Sequence, residues 1–197
     1  PEEFALRHMA YWPKLASREL GRVLHDFQDR IRFTGFVTDE MKTGGAQAIR
    51  RACRKKGYGR LILVSRGGGI VNKEILVSSL LLARKNRGDF FVVCCGPATS
   101  ADDMTEYRKI AAGATNVHLT HGLAPAVFDQ HLAAADVCVN MSGYNTSAKL
   151  MALGKRVVLV PCHTTEQRWR ADILTEYLPA KVVAEKDVTV SRLGRAI

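Results

Sequence analysis

From Gly57 onward, short apolar runs alternate with longer segments in which apolar positions recur every three to four residues. The runs Arg60–Ser65 (RLILVS), 90–95 (FFVVCC), Val117–Thr120, 137–141 and 156–160 (RVVLV) read as strands, and 181–184 as a last short one. Helical spacing predicts helices over about 72–84, 101–112, 125–135, 145–153 and 166–177, with a further one beginning near Thr189. Local signals agree with these bounds. Ser100 or Asp102 suits a helix N-cap, Pro125 a first turn, and Gly154 a helix end. Strands that are apolar on both faces and separated by helices imply a parallel sheet covered on both sides. The expected fold is therefore α/β, a Rossmann-like doubly wound sheet whose strand-to-helix loops share one edge. Ligands of such sheets bind outside the carboxyl ends of the strands.

The first part of the chain departs from this rhythm. Residues 1–30 are rich in Arg, Glu, His and aromatics, with one helical stretch over about 15–27. Residues 30–37 (RIRFTGFV) look extended, with a glycine break. We expect residues 1–37 to be a linker or tail from a preceding domain and 38–197 to be the α/β domain. The chain starts at Pro1 without a methionine and stops at Ile197 within a helical pattern, so further chain is expected at either end.

Composition narrows the class. Of 197 residues, 47% are hydrophobic and 24% charged, as in a globular domain with one well-filled core. No run approaches the roughly 20 apolar residues that span a bilayer. The five cysteines are odd in number, lie mostly in apolar runs and show no Cys-x-x-Cys spacing, which argues against disulfides or a metal site and for a reducing cytoplasm. The net charge of +10 raises nucleic acid as a partner. The clusters Arg50, Arg51, Arg54, Lys55, Lys56 and Arg84, Lys85, Arg87 carry no interleaved aromatics for stacking bases, so nucleic acid is not expected. Each cluster closes a predicted helix, where cations suit the macrodipole. A phosphorylated ligand or an anionic membrane surface, with peripheral association at its inner face, fits the charge better.

Three loops on the ligand-binding edge carry candidate chemistry. Arg66, Gly67, Gly68 and Gly69 follow the first strand; their glycines admit close backbone approach, and the next helix offers free N–H groups to an anion. Ser142, Gly143, Tyr144, Asn145 and Thr146 repeat that arrangement after the fourth strand, with more side-chain donors than a cap alone requires. Two such loops on one edge suit a diphosphate held between helix N-termini. The third loop gathers His163, Thr165, Glu166 and Gln167, groups that recognise sugar hydroxyls; Thr164 or Thr165 capping the next helix explains it equally well.

Other nucleotide folds are excluded. There is no Gly-x-x-x-x-Gly-Lys-Ser/Thr of a P-loop, and Asn72 stands where a dinucleotide fingerprint needs its third glycine. His118 and His121 lie on opposite faces of a strand, which argues against a shared metal.

The run 137–161 (VCVNMSGYNTSAKLMALGKRVVLVP), followed by Glu166-Gln167 and Arg170-Ala171, resembles the C-terminal domain of GT-B glycosyltransferases. It is similar in particular to the family 28 type, which includes the lipid-II-forming N-acetylglucosaminyltransferase and bacterial members with a Gly-Tyr-Asn-Thr motif. The resemblance covers about residue 30 to the end. It implies a transferase acting on a nucleotide-diphosphate sugar, usually UDP-linked, with no cofactor and no essential metal in this domain. By motif position, Arg66, Gly67–Gly69 and Ser142–Thr146 would hold the diphosphate. His121, Gly122 and Leu123 would meet the base, and His163, Thr165, Glu166 and Gln167 the donor sugar. The acceptor site and the catalytic residues would belong to a missing N-terminal domain or a partner subunit. One position departs from the family pattern: Lys149 stands where a glutamate usually binds the ribose, and lysine offers only donors. A stand-alone subunit that needs a partner chain, or a nucleotide-sugar-binding module without turnover, are the alternative expectations.

Overall fold

A computed structural model describes residues 36–68, 71–162 and 164–197, together with Arg22, Asp26, Asp29 and Arg30. The chain divides into two units, Pro1–Thr38 and Asp39–Ile197, and the elements below belong to the second. The helix expected over 15–27 and most of the extended segment over 30–37 lie outside the described residues, as do Gly69 and His163.

Among the described residues, seven α-helices and six strands follow in the order α1 (Ala46–Lys55), β1 (Arg60–Ser65), α2 (Lys73–Lys85), β2 (Asp89–Cys94), α3 (Ala101–Ala111), β3 (Val117–Thr120), α4 (Pro125–Ala134), β4 (Val137–Asn140), α5 (Tyr144–Leu153), β5 (Val157–Leu159), α6 (Thr165–Tyr177), β6 (Ala180–Val182) and α7 (Val190–Ala196). A 3₁₀ turn at Glu185–Asp187 joins the last two. The strands form one sheet in the order β3-β2-β1-β4-β5-β6, and every pairing is parallel. This is the doubly wound sheet that the apolar pattern predicts.

Alternation along the strands sorts their side chains between two cores. Ile62, Val64, Phe91, Val93, Val137 and Val139 face α2, α3 and α7, meeting Leu76, Leu80, Met104, Tyr107 and Leu193. Leu61, Leu63, Val92, Cys94, Cys138 and Leu159 face the other way, onto Leu132, Leu150, Ala171 and Leu174 of α4, α5 and α6. Both faces are dry, which is why the central strands carry almost no polar residue until their last positions. Among the described residues, no helix is long and apolar enough to cross a membrane.

The topology fixes where a ligand can sit. The chain steps outward from β1 through β2 to β3, then returns to place β4 on the other side of β1. The loops after β1 and β4 therefore diverge and leave a crevice between them at the switch point.

Candidate functional site

The register sets Ser65, the last residue of β1, beside Asn140, the last of β4. Above this pair opens a cleft of about 380 Å³ lined by Ser65, Arg66, Gly67, Gly68, Val71, Asn140, Met141, Gly143, Thr146 and Gln167. It brings together residues of all three predicted loops.

The first wall is the β1–α2 loop. Gly67 has φ +66, a conformation that L side chains rarely adopt, and the Ser65 hydroxyl accepts its N–H at 3.5 Å. Arg66 lines the cleft, yet its guanidinium is engaged inside the protein. Nε donates to the Cys95 carbonyl at 2.9 Å, Nη2 donates to the Thr99 hydroxyl at 3.1 Å, and the group lies over the Tyr107 ring. Arg66 thus braces the β1–α2 loop against the β2–α3 loop. At the head of α2, Asn72 is left-handed (φ 57, ψ 57) and 7% exposed, and neither its carboxamide oxygen nor its nitrogen has a hydrogen-bond partner among the described residues.

The second wall is the β4–α5 loop. Ser142 also has a positive φ (59°), unusual for a residue with a side chain. Two bonds hold it there: its N–H donates to Asn140 Oδ1 at 2.8 Å, and its carbonyl accepts from Arg170 Nη1 at 2.6 Å. Arg170 is 4% exposed, also pairs with Glu166, and lies over the Tyr144 ring. Gly143 and Thr146, at the start of α5, line the cleft. Asn140 Nδ2 and the hydroxyls of Ser142 and Ser147, all buried, have no partner among the described residues. A buried polar atom without a partner is costly, and of these residues Asn140 is among those that line the cleft.

Capping bears on the cleft as well. α3, α6 and α7 are closed by the side chains of Ser100, Thr164 and Thr189. α2 and α5, which open at the cleft, have no side-chain cap, so their first-turn N–H groups remain for an anion. α1 and α4 also lack such caps, but none of their residues lines the cleft.

The third loop contributes one residue. Gln167 Oε1 accepts the Cys162 N–H at 2.8 Å, and its amide N–H₂ donates to no partner among the described residues. Thr164, not Thr165, caps α6, at 3.3 Å from the Gln167 N–H. Thr165 and Glu166 are exposed and do not line the cleft, Glu166 being held by Arg170. Nor do His121, Gly122 and Leu123. Their loop is pinned by Gly96 N–H donating to the His121 carbonyl at 2.6 Å and by Thr120 Oγ1 donating to the Gly122 carbonyl at 2.9 Å. It follows β3, two strands out from β1, about 10 Å along the edge.

Lys149 is turned away from the cleft. Its Nζ donates to Asp129 Oδ1 of α4 at 2.5 Å, with side-chain exposures of 17% and 6% for lysine and aspartate. Tyr144 and Asn145 are exposed at the first turn of α5, and Ser142 is fully buried beneath it. Sequence reasoning missed the roles of Asn140, Asn72 and Arg170. For Asn140 a signal existed, since a polar residue ends an otherwise apolar strand. The left-handed backbone of Asn72 has no sequence mark beyond asparagine's tolerance for it. Among the described residues, no three His, Cys, Asp or Glu side chains gather as a metal site.

No family model matches the sequence. Solved structures do. The glycosyltransferase of kitacinnamycin superposes with a TM-score of 0.58 at 19% identity, covering 85% of this chain and 37% of its own. MurG from Acinetobacter baumannii gives 0.57 at 18% identity, covering 74% and 42%. The UDP-GlcNAc 2-epimerase from Neisseria meningitidis, bound to UDP-GlcNAc, gives 0.54 at 18%, covering 76% and 39%. The chain therefore spans about two fifths of the length of these proteins, and at such identities the likeness is one of fold: the Rossmann-like half of the GT-B architecture.

Proposed function

We propose that this chain is the donor-binding half of a glycosyltransferase that moves a sugar from a nucleotide diphosphate, a UDP-sugar in the first instance, to an acceptor held elsewhere. The observation that carries the reading is the cleft at the switch point, where the uncapped N-termini of α2 and α5 meet a lining of Ser65, Gly67, Gly68, Asn140, Gly143 and Thr146. A diphosphate matches this surface. Its oxygens accept from backbone N–H groups, and the two helix dipoles stabilise the charge that grows on the leaving diphosphate as the glycosidic bond breaks. The glycines keep that approach open, since a Cβ at Gly68 or Gly143 would meet nothing within 4 Å. Gln167 is the residue best placed to reach the sugar. The likeness to a fold that holds UDP-GlcNAc in the Neisseria epimerase supports the choice of nucleotide. In this reading the acceptor site and the proton-accepting base lie in a second domain or partner chain.

A second reading, a nucleotide-sugar-binding module without turnover, has one observation in its favour. Lys149 occupies the position that carries a ribose-binding glutamate in the sequences this chain resembles, and its pairing with Asp129 removes it from the ligand altogether.

A thermal-shift series separates the diphosphate claim from non-specific nucleotide binding. UDP at 100 times its dissociation constant should stabilise the fold by about 2.7 kcal/mol. UMP should do much less at equal concentration and uridine nothing. Equal shifts for UMP and UDP would contradict the placement of the diphosphate between α2 and α5. Transfer activity in the presence of the second domain decides between the two readings.

A further inference from the structure

Positive charge is concentrated at one place on the domain. Each helix that connects parallel strands runs back against them, so helix C-termini collect at the edge where strands begin, opposite the cleft. There α1 ends in Arg54 and Lys55 and is followed by Lys56; α2 ends in Arg84 and Lys85 and is followed by Arg87; α3 carries Arg108 and Lys109 in its last turn. All eight of these residues are exposed. The loops from these helices into β1, β2 and β3, residues 56–59, 86–88 and 112–116, contain no carboxylate. Two acids where the strands begin are already engaged: Asp89 is paired with Arg60 through both oxygens at 3.0 and 2.6 Å, and Asp136 accepts the Leu61 N–H at 2.8 Å.

These loops form one surface. The Gly59 N–H donates to the Gly88 carbonyl at 2.7 Å, the Tyr58 hydroxyl to the Thr115 carbonyl at 3.0 Å, and Asn116 Nδ2 to the carbonyls of Ala83, Asn86 and Asp89. The macrodipole explains a cation in a last turn, but it acts on every helix alike. α5 and α6 have no basic residue in their last turns, and α4 has only His131. Lys56 and Arg87 lie beyond the helices. Exposed Arg156 follows α5 on the other half of the edge, but the exposed cations are densest on the β1–β3 half, beyond what helix ends require.

We propose that this edge docks on an anionic lipid bilayer. The cations are spread over three elements on long side chains, with no fixed acceptor to set a register, which suits a continuous anionic surface. Nucleic acid fits less well, because the aromatic group of this edge is not free to stack: Tyr58 packs on Phe90 at 5.1 Å between ring centres, and Lys56 covers the same ring. Docked this way, the domain holds its cleft about 20 Å from the lipid, the length of β1, with the ligand edge open to water. Lipid docking does not depend on what the cleft holds.

The test is co-sedimentation of the chain with vesicles of phosphatidylcholine containing about one third phosphatidylglycerol, and with pure phosphatidylcholine vesicles, at low and high salt. Two charge-reversal triples with the same change in net charge are compared: Arg54→Glu/Lys55→Glu/Lys56→Glu at the proposed edge, and Lys73→Glu/Arg168→Glu/Lys186→Glu at the opposite edge. Circular dichroism melts confirm that both fold; if the first does not, Arg84→Glu/Lys85→Glu/Arg87→Glu takes its place. The expected result is salt-sensitive binding to the anionic vesicles alone. It should weaken at least tenfold in the edge variant, each cation near an anionic surface being worth about fivefold, and by less than about twofold in the control. Absence of binding to anionic vesicles would overturn the proposal. So would equal loss in both variants, or preferential binding of a nucleic-acid duplex over the vesicles.

Discussion

Arg170 shows how much of the site rests on one side chain that touches no ligand in the proposed scheme. Its guanidinium reaches the Ser142 carbonyl, Glu166 and the Tyr144 ring, and it holds a residue with positive φ that sets the direction of α5. Arg170→Met removes a charge-assisted bond and leaves the buried carbonyl of Ser142 unmatched. We expect a loss of about 2–4 kcal/mol, read from the denaturant midpoint, together with weaker UDP binding. Wild-type affinity in that variant would show that the loop keeps its shape without the arginine. Cys94, Cys95 and Cys138 are poor nucleophiles for a plain physical reason. Burial pushes the Cys94 and Cys138 thiols up to about 12 and the Cys95 thiol up to about 11, so the reactive thiolate is scarce near neutrality. Iodoacetamide at pH 8 should leave these three unlabelled in the native protein and modify all five cysteines after unfolding; rapid native labelling at Cys95 would contradict the burial. These thiols were legible as core residues because they sit inside apolar runs. Arg66 was legible as a loop residue, but nothing in the sequence reveals that its guanidinium turns inward to Cys95 and Thr99.

At the level of elements, α3, α6 and α7 carry side-chain caps, α2 and α5 open uncapped at the cleft, and α1 and α4 are uncapped away from it. This was half visible in the sequence: Ser100 and Thr164 stand where caps belong and Gly143 where α5 opens, but Asn72, of a favoured capping type, does not cap α2. The contact between α4 and α5 was not visible, because it depends on which helices the topology makes neighbours. Lys149 looked like a lone anomaly until α4 supplied Asp129. Restoring the glutamate alone should therefore fail. Lys149→Glu sets two carboxylates together at a site where Asp129 is almost fully buried, with an expected cost of about 3 kcal/mol. Adding Asp129→Lys should recover at least about 1 kcal/mol of it, as a double-mutant cycle in denaturant would show. Additive losses would mean that the ion pair contributes nothing specific. Thr165 and Glu166 illustrate the converse limit, since a loop's composition names the groups present but not the partner, here Arg170, that draws one of them away.

For the whole molecule, the apolar runs were sufficient to call a doubly wound parallel sheet, because both faces of the sheet are covered and the strands show it. The strand order was not available from the pattern, and it decides the site. Placing β4 beside β1 makes the first two loops the walls of one cleft, while the loop after β3, with His121, Gly122 and Leu123, stands apart from it. The same winding separates the ligand edge, where α2 and α5 open uncapped, from the edge where helix C-termini collect. The central claim, that the cleft takes a nucleotide diphosphate, is tested most directly by calorimetric titration of UDP into the native chain and into Gly143→Asp. Gly143 is the N-cap of α5 with φ −64, and a side chain there meets no neighbour. Aspartate is a favoured N-cap, so the variant should fold at least as stably as the parent while placing a carboxylate where the diphosphate would lie. The account predicts UDP binding at millimolar affinity or better in the native chain and a loss of at least about tenfold in Gly143→Asp with an unchanged or raised melting temperature. No binding by the folded native chain, or equal affinity in the two proteins, would contradict it.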